Sequence, residues 1–143
     1  MIIIKFTENG SEIKECFGVI KELRPALKDE EDFLGKMKNL LKIPNYKIAF
    51  LKEDKQVKSV ATIRVSDNLA WGKYLYIDDF VTLSTERSKG YGDRLFNWIV
   101  NYAKTFSCDQ LHLDSGVQRF DAHRFYLKNS MNITSHHFGI KLK

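Results

Sequence analysis

Apolar and polar positions along the chain alternate between two periods. Ile2-Ile3-Ile4-Lys5-Phe6 is mostly β-branched and predicts a strand. From Asn9 or Ser11, either of which can cap a helix, Ile13, Phe17, Ile20 and Leu23 recur on one helical face. Arg24-Pro25 ends that helix, because the residue before a proline is pushed out of the α region. A second helix follows Asp29, with Phe33, Met37, Leu40 and Leu41 as its apolar stripe and Pro44 as its stop. The acidic run Asp29-Glu30-Glu31-Asp32 lies at this helix start, where negative charge complements the dipole. Capping by Asp29 and Asp32 accounts for it better than an acidic patch for a cationic substrate.

The period then shortens to two. Tyr46 to Leu51 and Val57 to Val65 predict two strands joined by a polar turn at Glu53-Asp54-Lys55, and Lys73 to Leu83 predicts a third. Helical spacing returns with Tyr91, Leu95, Trp98, Ile99, Tyr102, Ala103 and Phe106. Leu111-His112-Leu113 reads as a short buried strand and Ala122 to Lys128 as a short helix. Ile133 to Leu142 reads as a closing strand, bulged at Gly139. The order β-α-α-β-β-β-α-β-α-β implies an α/β fold, a mixed sheet with helices on its faces. No Pro/Gly/Ser-rich linker or fixed repeat divides the 143 residues, so a single domain over 1–143 is expected.

Composition narrows the function classes. No apolar run approaches the length that spans a bilayer, and Met1–Lys5 is too short for the apolar core of a signal peptide. Two cysteines, Cys16 and Cys108, form neither a disulfide framework nor a zinc motif, so reduced thiols in a cytoplasmic protein are expected. His112, His123, His136 and His137 lack metal-ligand spacing, so no metal site is expected. The net charge of +5 comes with scattered lysines and no arginine–aromatic interleaving. That favours a solvated basic surface over a nucleic-acid interface, and it suits an anionic cofactor.

The segment Leu83-Ser84-Thr85-Glu86-Arg87-Ser88-Lys89-Gly90-Tyr91-Gly92-Asp93 carries the chemistry. It is a strand end, a glycine-bearing turn and a helix start. Such a turn presents unpaired backbone N–H groups at the positive end of the helix dipole. Gly90 and Gly92 let an anion approach the backbone, and Arg87 and Lys89 add positive charge. A pyrophosphate is the expected ligand. The turn lacks the Gly-Lys-Ser/Thr of a P-loop, and Leu95 stands where a dinucleotide fingerprint needs a third small residue.

The spacing Arg/Gln-x-x-Gly-x-Gly/Ala, read here from Arg87 to Gly92, resembles the GCN5-related N-acetyltransferase superfamily. The resemblance implies that Arg87, Ser88, Lys89, Gly90, Tyr91, Gly92 and Asp93 hold the pyrophosphate of acetyl-CoA. Ile77-Asp78-Asp79-Phe80-Val81-Thr82-Leu83 looks like the family's central strand. That strand splays from its neighbour and offers backbone groups, here of Phe80, Val81 and Thr82, to the acetyl and pantetheine arm. Ala122-His123-Arg124-Phe125-Tyr126-Leu127-Lys128-Asn129-Ser130-Met131 resembles the Ala-x-x-Phe-Tyr-x-x-x-Gly-Phe helix, in the expected order about 30 residues downstream. Three departures stand out. Ser130 replaces the glycine and Met131 the phenylalanine, leaving Asn129 to supply a left-handed helix end. Arg119 stands where many members carry an asparagine, so that role is not carried over. The last strand is undivided where many members end in a hairpin, which motivates a homodimer in which a neighbour supplies the missing strand.

Acyl transfer from a thioester to an amine needs a proton removed from the ammonium, an oxyanion stabilised and a thiolate protonated. By resemblance, Tyr126 is the general acid and the N–H of Val81 an oxyanion donor. Asp78 and Asp79, adjacent on a strand, are expected on opposite faces. The resemblance favours Asp78 as the base, with Asp79 fixing the strand. No Cys–His or Ser–His pairing points to an acyl-enzyme, so direct attack in a ternary complex is expected. The acceptor expected is a small cationic amine or polyamine, against the aromatics Trp71 to Tyr76. The rival from another class is a non-catalytic CoA sensor or interaction module on the same fold.

Overall fold

A computed structural model describes all 143 residues. Its elements are β1 (Ile2–Phe6), α1 (Gly10–Glu15), α2 (Phe17–Leu23), α3 (Glu30–Leu40), β2 (Tyr46–Glu53), β3 (Gln56–Asn68) and β4 (Gly72–Thr82). A 3-10 turn (Ser84–Glu86), α4 (Tyr91–Thr105), β5 (Gln110–Leu113) and α5 (Phe120–Lys128) follow. The chain divides into two compact units, Met1–His112 and Leu113–Lys143.

The five strands lie in sequence order, with β1/β2, β2/β3 and β3/β4 antiparallel. The β2–β3 hairpin closes through Asp54 and Lys55 at φ 51° and 64°. Two consecutive positive φ values give the turn a twist that matches the strands it joins. At the next turn Asn68 Oδ1 accepts from Trp71 N at 2.6 Å, and Gly72 takes φ 72°. β4 and β5 are joined by the α4 crossover, as parallel neighbours require. Asp109 N donates to Lys73 O at 2.7 Å and Lys73 N to Asp109 Oδ2 at 3.0 Å, tying the two strand starts together.

Two helix starts follow the sequence closely. Asn9 accepts from Glu12 N at 2.9 Å while Glu12 accepts from Glu8 N at 2.7 Å. Asp29 accepts from Asp32 N at 2.8 Å while Asp32 accepts from Lys28 N at 2.9 Å. Both are reciprocal caps, so the acidic run is a helix start. The single helix expected up to Leu23 is instead two. Cys16 N bonds back to Ile13 O, and α2 restarts with Ile20 N donating to Cys16 O. That break turns Ile13, Cys16, Val19 and Ile20 into one core with Phe33 and Met37 of α3. Burial pushes the Cys16 thiol up to about 12, so it packs as a hydrophobe.

These three helices cover one face of the sheet, against Tyr46, Ile48, Phe50, Val60 and Val81. The opposite face carries α4, whose buried Leu95, Phe96, Ile99 and Ala103 recur at helical spacing. There Phe80 meets Phe96 edge-on at 6.2 Å, and Phe6 meets Trp98 and Tyr102, each at 4.8 Å between centroids.

In the second unit α5 ends with Asn129 N bonding to Phe125 O and Met131 N to Tyr126 O. The left-handed residue is Ser130, at φ 67°, and not Asn129, at φ −88°. Asn129 spends its side chain on the helix end, Nδ2 donating to Phe125 O at 2.9 Å, so the turn falls on the serine that stands in the glycine position. The strand expected over Ile133 to Leu142 is absent. No helix or strand follows α5.

Candidate active site

The site begins with an irregularity in β4. Thr62 of β3 faces Asp79, but the next residue, Ile63, faces Ile77, so Asp78 is the extra residue of a bulge. Without the bulge the two carboxylates would alternate. With it both reach the same face of β3. Asp78 Oδ2 accepts from Arg64 Nε at 2.9 Å, Oδ1 accepts more loosely from Nη2 at 3.4 Å, and Asp79 Oδ2 accepts from the Thr62 hydroxyl. Thr62 and Arg64 are two residues apart on one strand and share a face. The expectation of opposite faces is therefore corrected, for the reason that a bulge resets the side-chain alternation.

That face is the one under α2. Arg24, at its C-terminal end, donates from Nε to Asp79 Oδ1 at 2.7 Å and from Nη2 to Asp78 O at 3.2 Å. Asp79 is thus held from both sides, with a side chain 15% exposed against 32% for Asp78. Tyr46 hydrogen-bonds Thr62, and burial, with the nearby carboxylates, pushes its phenol up to about 12. The Arg64 guanidinium lies 4.6 Å from the Tyr76 ring centroid and bonds Tyr74. Trp71, edge-on to Tyr74 at 5.0 Å, stacks on His112 at 3.5 Å. The aromatic run is thereby drawn into the cluster.

Beyond the bulge β4 continues as Phe80, Val81 and Thr82, still paired with β3. On its other side, β5 starts beside Lys73 and has four residues. At about 3.3 Å per residue it accompanies β4 to about Ile77. With four residues against eleven, β5 does not accompany β4 over its whole length.

The chain then enters the turn. Ser88 takes φ 65° and Gly90 φ 86°, which wraps the backbone around the helix entrance. Gly90 caps α4 without a side-chain bond, and the first intrahelical bond is Arg94 N to Gly90 O at 3.1 Å. Amides ahead of that bond have no intrahelical acceptor. A Cβ built on Gly90 would meet no atom within 4 Å, so the cap opens outward. Arg87, Ser88 and Lys89 are exposed, and Tyr91, Gly92 and Asp93 form the first turn of α4. These features fit a pyrophosphate.

Two supports of this turn were not foreseen. Lys58, nearly buried on β3, donates to Glu86 at 2.9 Å and to Gln56 at 2.7 Å, and Lys89 reaches the other Glu86 oxygen at 2.5 Å. The Lys89 and Lys58 bonds hold the Glu86 carboxyl below its usual range. Tyr91 donates to Glu53 at 2.7 Å, and that bond, with burial, pushes its phenol up to about 12. A lysine within the predicted strand Val57 to Val65 is the one signal the sequence offered.

Tyr126 lies in α5, in the second unit, and is buried. Burial raises its phenol above the ordinary value, partly offset by the Arg119 guanidinium bonded to it. It stays a protonated donor at neutral pH. Arg119, which stands where many relatives carry asparagine, therefore has a partner within its own unit.

The comparisons with known proteins agree with this geometry. The family model for the acetyltransferase (GNAT) family matches residues 12–131. An uncharacterised N-acetyltransferase of Bacillus subtilis (strain 168), YhdJ, is 32% identical over 126 residues, covering 88% of each chain. Aminoglycoside N-acetyltransferase AAC(6')-Iy in complex with CoA superposes with a TM-score of 0.85 at 12% identity, over 99% of this chain and 94% of that one. A GNAT family acetyltransferase of Staphylococcus aureus subsp. aureus USA300_TCH1516 gives 0.83 at 20% identity, over 99% and 98%. No helix is long and apolar enough to cross a membrane. The bulged central strand, the glycine-capped helix entrance and a family match spanning both together place this chain in the GNAT family, as an acetyl-CoA-dependent acetyltransferase.

Proposed function

We propose that the chain moves the acetyl group of acetyl-CoA to a small primary amine by direct attack in a ternary complex. The observation that carries this reading is the run from Asp78 to Asp93. Along it, one strand and one turn present two carboxylates, a backbone edge that β5 accompanies only in part and an anion-accepting helix entrance in sequence. In this reading the turn Arg87–Asp93 holds the pyrophosphate, and the backbone of Phe80, Val81 and Thr82 aligns the pantetheine arm and thioester. Asp78 takes the proton of the acceptor ammonium, directly or through water. The freed amine attacks the thioester carbonyl, the Val81 N–H stabilises the oxyanion, and the C–S bond breaks as Tyr126 protonates the departing thiolate.

The acceptor follows from the charges around Asp78. Two carboxylates facing an amine would suit a polyamine, but here Arg24 and Arg64 match Asp79 and Asp78 one for one. The cluster is formally neutral. That supports a monoamine over a polycation, and one whose remaining polar or anionic groups meet the guanidinium edges. Replacing Tyr126 by Phe tests the chemistry. A loss of kcat of about 10²-fold with unchanged acetyl-CoA affinity is expected. Titration of acetyl-CoA against Gly92→Glu tests the turn, where a carboxylate should abolish binding by repulsion from the pyrophosphate. A folded wild type that binds acetyl-CoA yet acetylates no amine in a broad panel would replace this reading with a CoA-sensing module.

A further inference from the structure

The two arginines beside the carboxylates are not equally spent. Arg64 gives Nε and Nη2 to the Asp78 carboxylate, bonds Tyr74 and lies over the Tyr76 ring. Arg24 is placed differently. It is the C-cap of α2, where Pro25 turns the backbone away, and its side chain reaches β4. Asp78, the extra residue of the bulge, has no partner on β3, and its carbonyl accepts from Arg24 Nη2 at 3.2 Å. Nε holds Asp79 at 2.7 Å. Both bonds leave from one edge of the guanidinium, so the Nη1 end of the fork is not used by them. Exposure agrees, since the Arg24 side chain is 53% exposed and the carboxylate it holds only 15%.

The surrounding charges favour an anion at that open end. Asp78 and Asp79 are each matched by an arginine. Glu22, one turn back on α2, is turned aside to Ser84, accepting from its N at 2.9 Å and its hydroxyl at 3.3 Å. Lys21 spends its ammonium on Pro25 O and Leu27 O, which carry no charge to offset it. Resting on acetyl transfer at Asp78, we infer that the acceptor is an amine that also carries a carboxylate or a phosphate, and that the open end of Arg24 selects it. The fork binds either anion through two parallel N–H groups. Because the same guanidinium lies on the carbonyl of Asp78, amine and anion are close together in the acceptor, as in an amino acid or an aminoalkyl phosphate. A polyamine would bring a second ammonium against Arg24 and is disfavoured.

Values of kcat/KM on matched pairs test the assignment, each common α-amino acid against its amide and ethanolamine phosphate against ethanolamine. The wild type is expected to prefer the anionic member of at least one pair by roughly 10–100-fold, as for a charge-assisted hydrogen bond. The pair that shows the preference identifies the anion as carboxylate or phosphate. Arg24→Gln should bring that ratio close to unity. The ratio compares two substrates of one protein, so a general loss of turnover from a loosened α2 cancels from it. If Arg24→Gln does not fold, Arg24→Lys serves, since an ammonium cannot bridge Asp79 and the acceptor's anion as a fork does, and the ratio should fall several-fold. Equal values for both members of every pair in the wild type overturn the inference and leave acetyl transfer standing. So does a preference that survives in whichever variant folds. A folded wild type that acetylates no amine overturns acetyl transfer itself, and this inference with it.

Discussion

At the scale of single residues the decisive fact is which carboxylate is free to work. Asp78 and Asp79 were legible as a pair of acids on the central strand, but the rule of alternation separates them, and only the register with β3 reveals the bulge that reunites them. That register depends on Thr62 and Arg64, residues distant in sequence, and no local pattern encodes it. The partners also divide the labour. Asp79 is bound by two residues, Arg24 and Thr62, and is less exposed, so it anchors α2 to the sheet, whereas the Asp78 carboxylate bonds the Arg64 side chain alone and is the more open of the two. Asp79→Asn should therefore cost about 1–3 kcal/mol of stability by leaving Arg24 and Thr62 badly partnered. Asp78→Asn should cost under about 1 kcal/mol, as expected for a half-exposed pair, and lower kcat/KM about 10²-fold. Thermal unfolding and steady-state kinetics on both variants separate the two roles. The opposite pattern would transfer the base to Asp79.

At the scale of elements, the turn before α4 shows how far motif reading goes. Glycines, basic residues and a helix start were visible in Arg87–Gly92, and Gly90 does take the left-handed cap. The left-handed Ser88 and the clamp under the turn were not visible, because Glu86 and Lys58 are 28 residues apart and meet only once β3 lies beside β4. Glu86 joins Lys58 in the sheet to Lys89 in the turn, so it should stiffen the anion site as well as the fold. Its folded-state value is depressed, so its contribution to stability is complete above the ordinary carboxylate value of 4.5 and disappears as pH falls through the lower, folded one. Unfolding midpoints of wild type and Glu86→Gln, followed from neutral pH into acid, should differ by a constant gap at first. The gap should narrow below that value and close once Glu86 is protonated. A gap that persists into strong acid would mean the glutamate acts through packing alone.

At the scale of the whole molecule, the order of elements through α5 was readable because each has a clear period and a chemical stop, such as Pro25, Pro44 or the Asp54-Lys55 turn. The split at Cys16 was not readable, since the apolar stripe runs through it unbroken, and the fate of Ile133–Leu142 was not, since a strand needs an edge that sequence does not display. Net charge is the other property of the whole chain. A total of +5, with Arg87 and Lys89 exposed at the turn, should draw in a polyanionic substrate more than a neutral one. Raising salt from about 50 mM to 500 mM shortens the screening length from roughly 13 Å to 4 Å. The Kd for acetyl-CoA should therefore rise several-fold over that range. The two cations need not contribute equally, because Lys89 is already shared with Glu86 and Arg87 has no such partner. Arg87→Gln should accordingly flatten the salt dependence more than Lys89→Gln, measured as the slope of log Kd against log salt. Equal slopes for all three proteins would locate the attraction in the general basic surface, away from the turn.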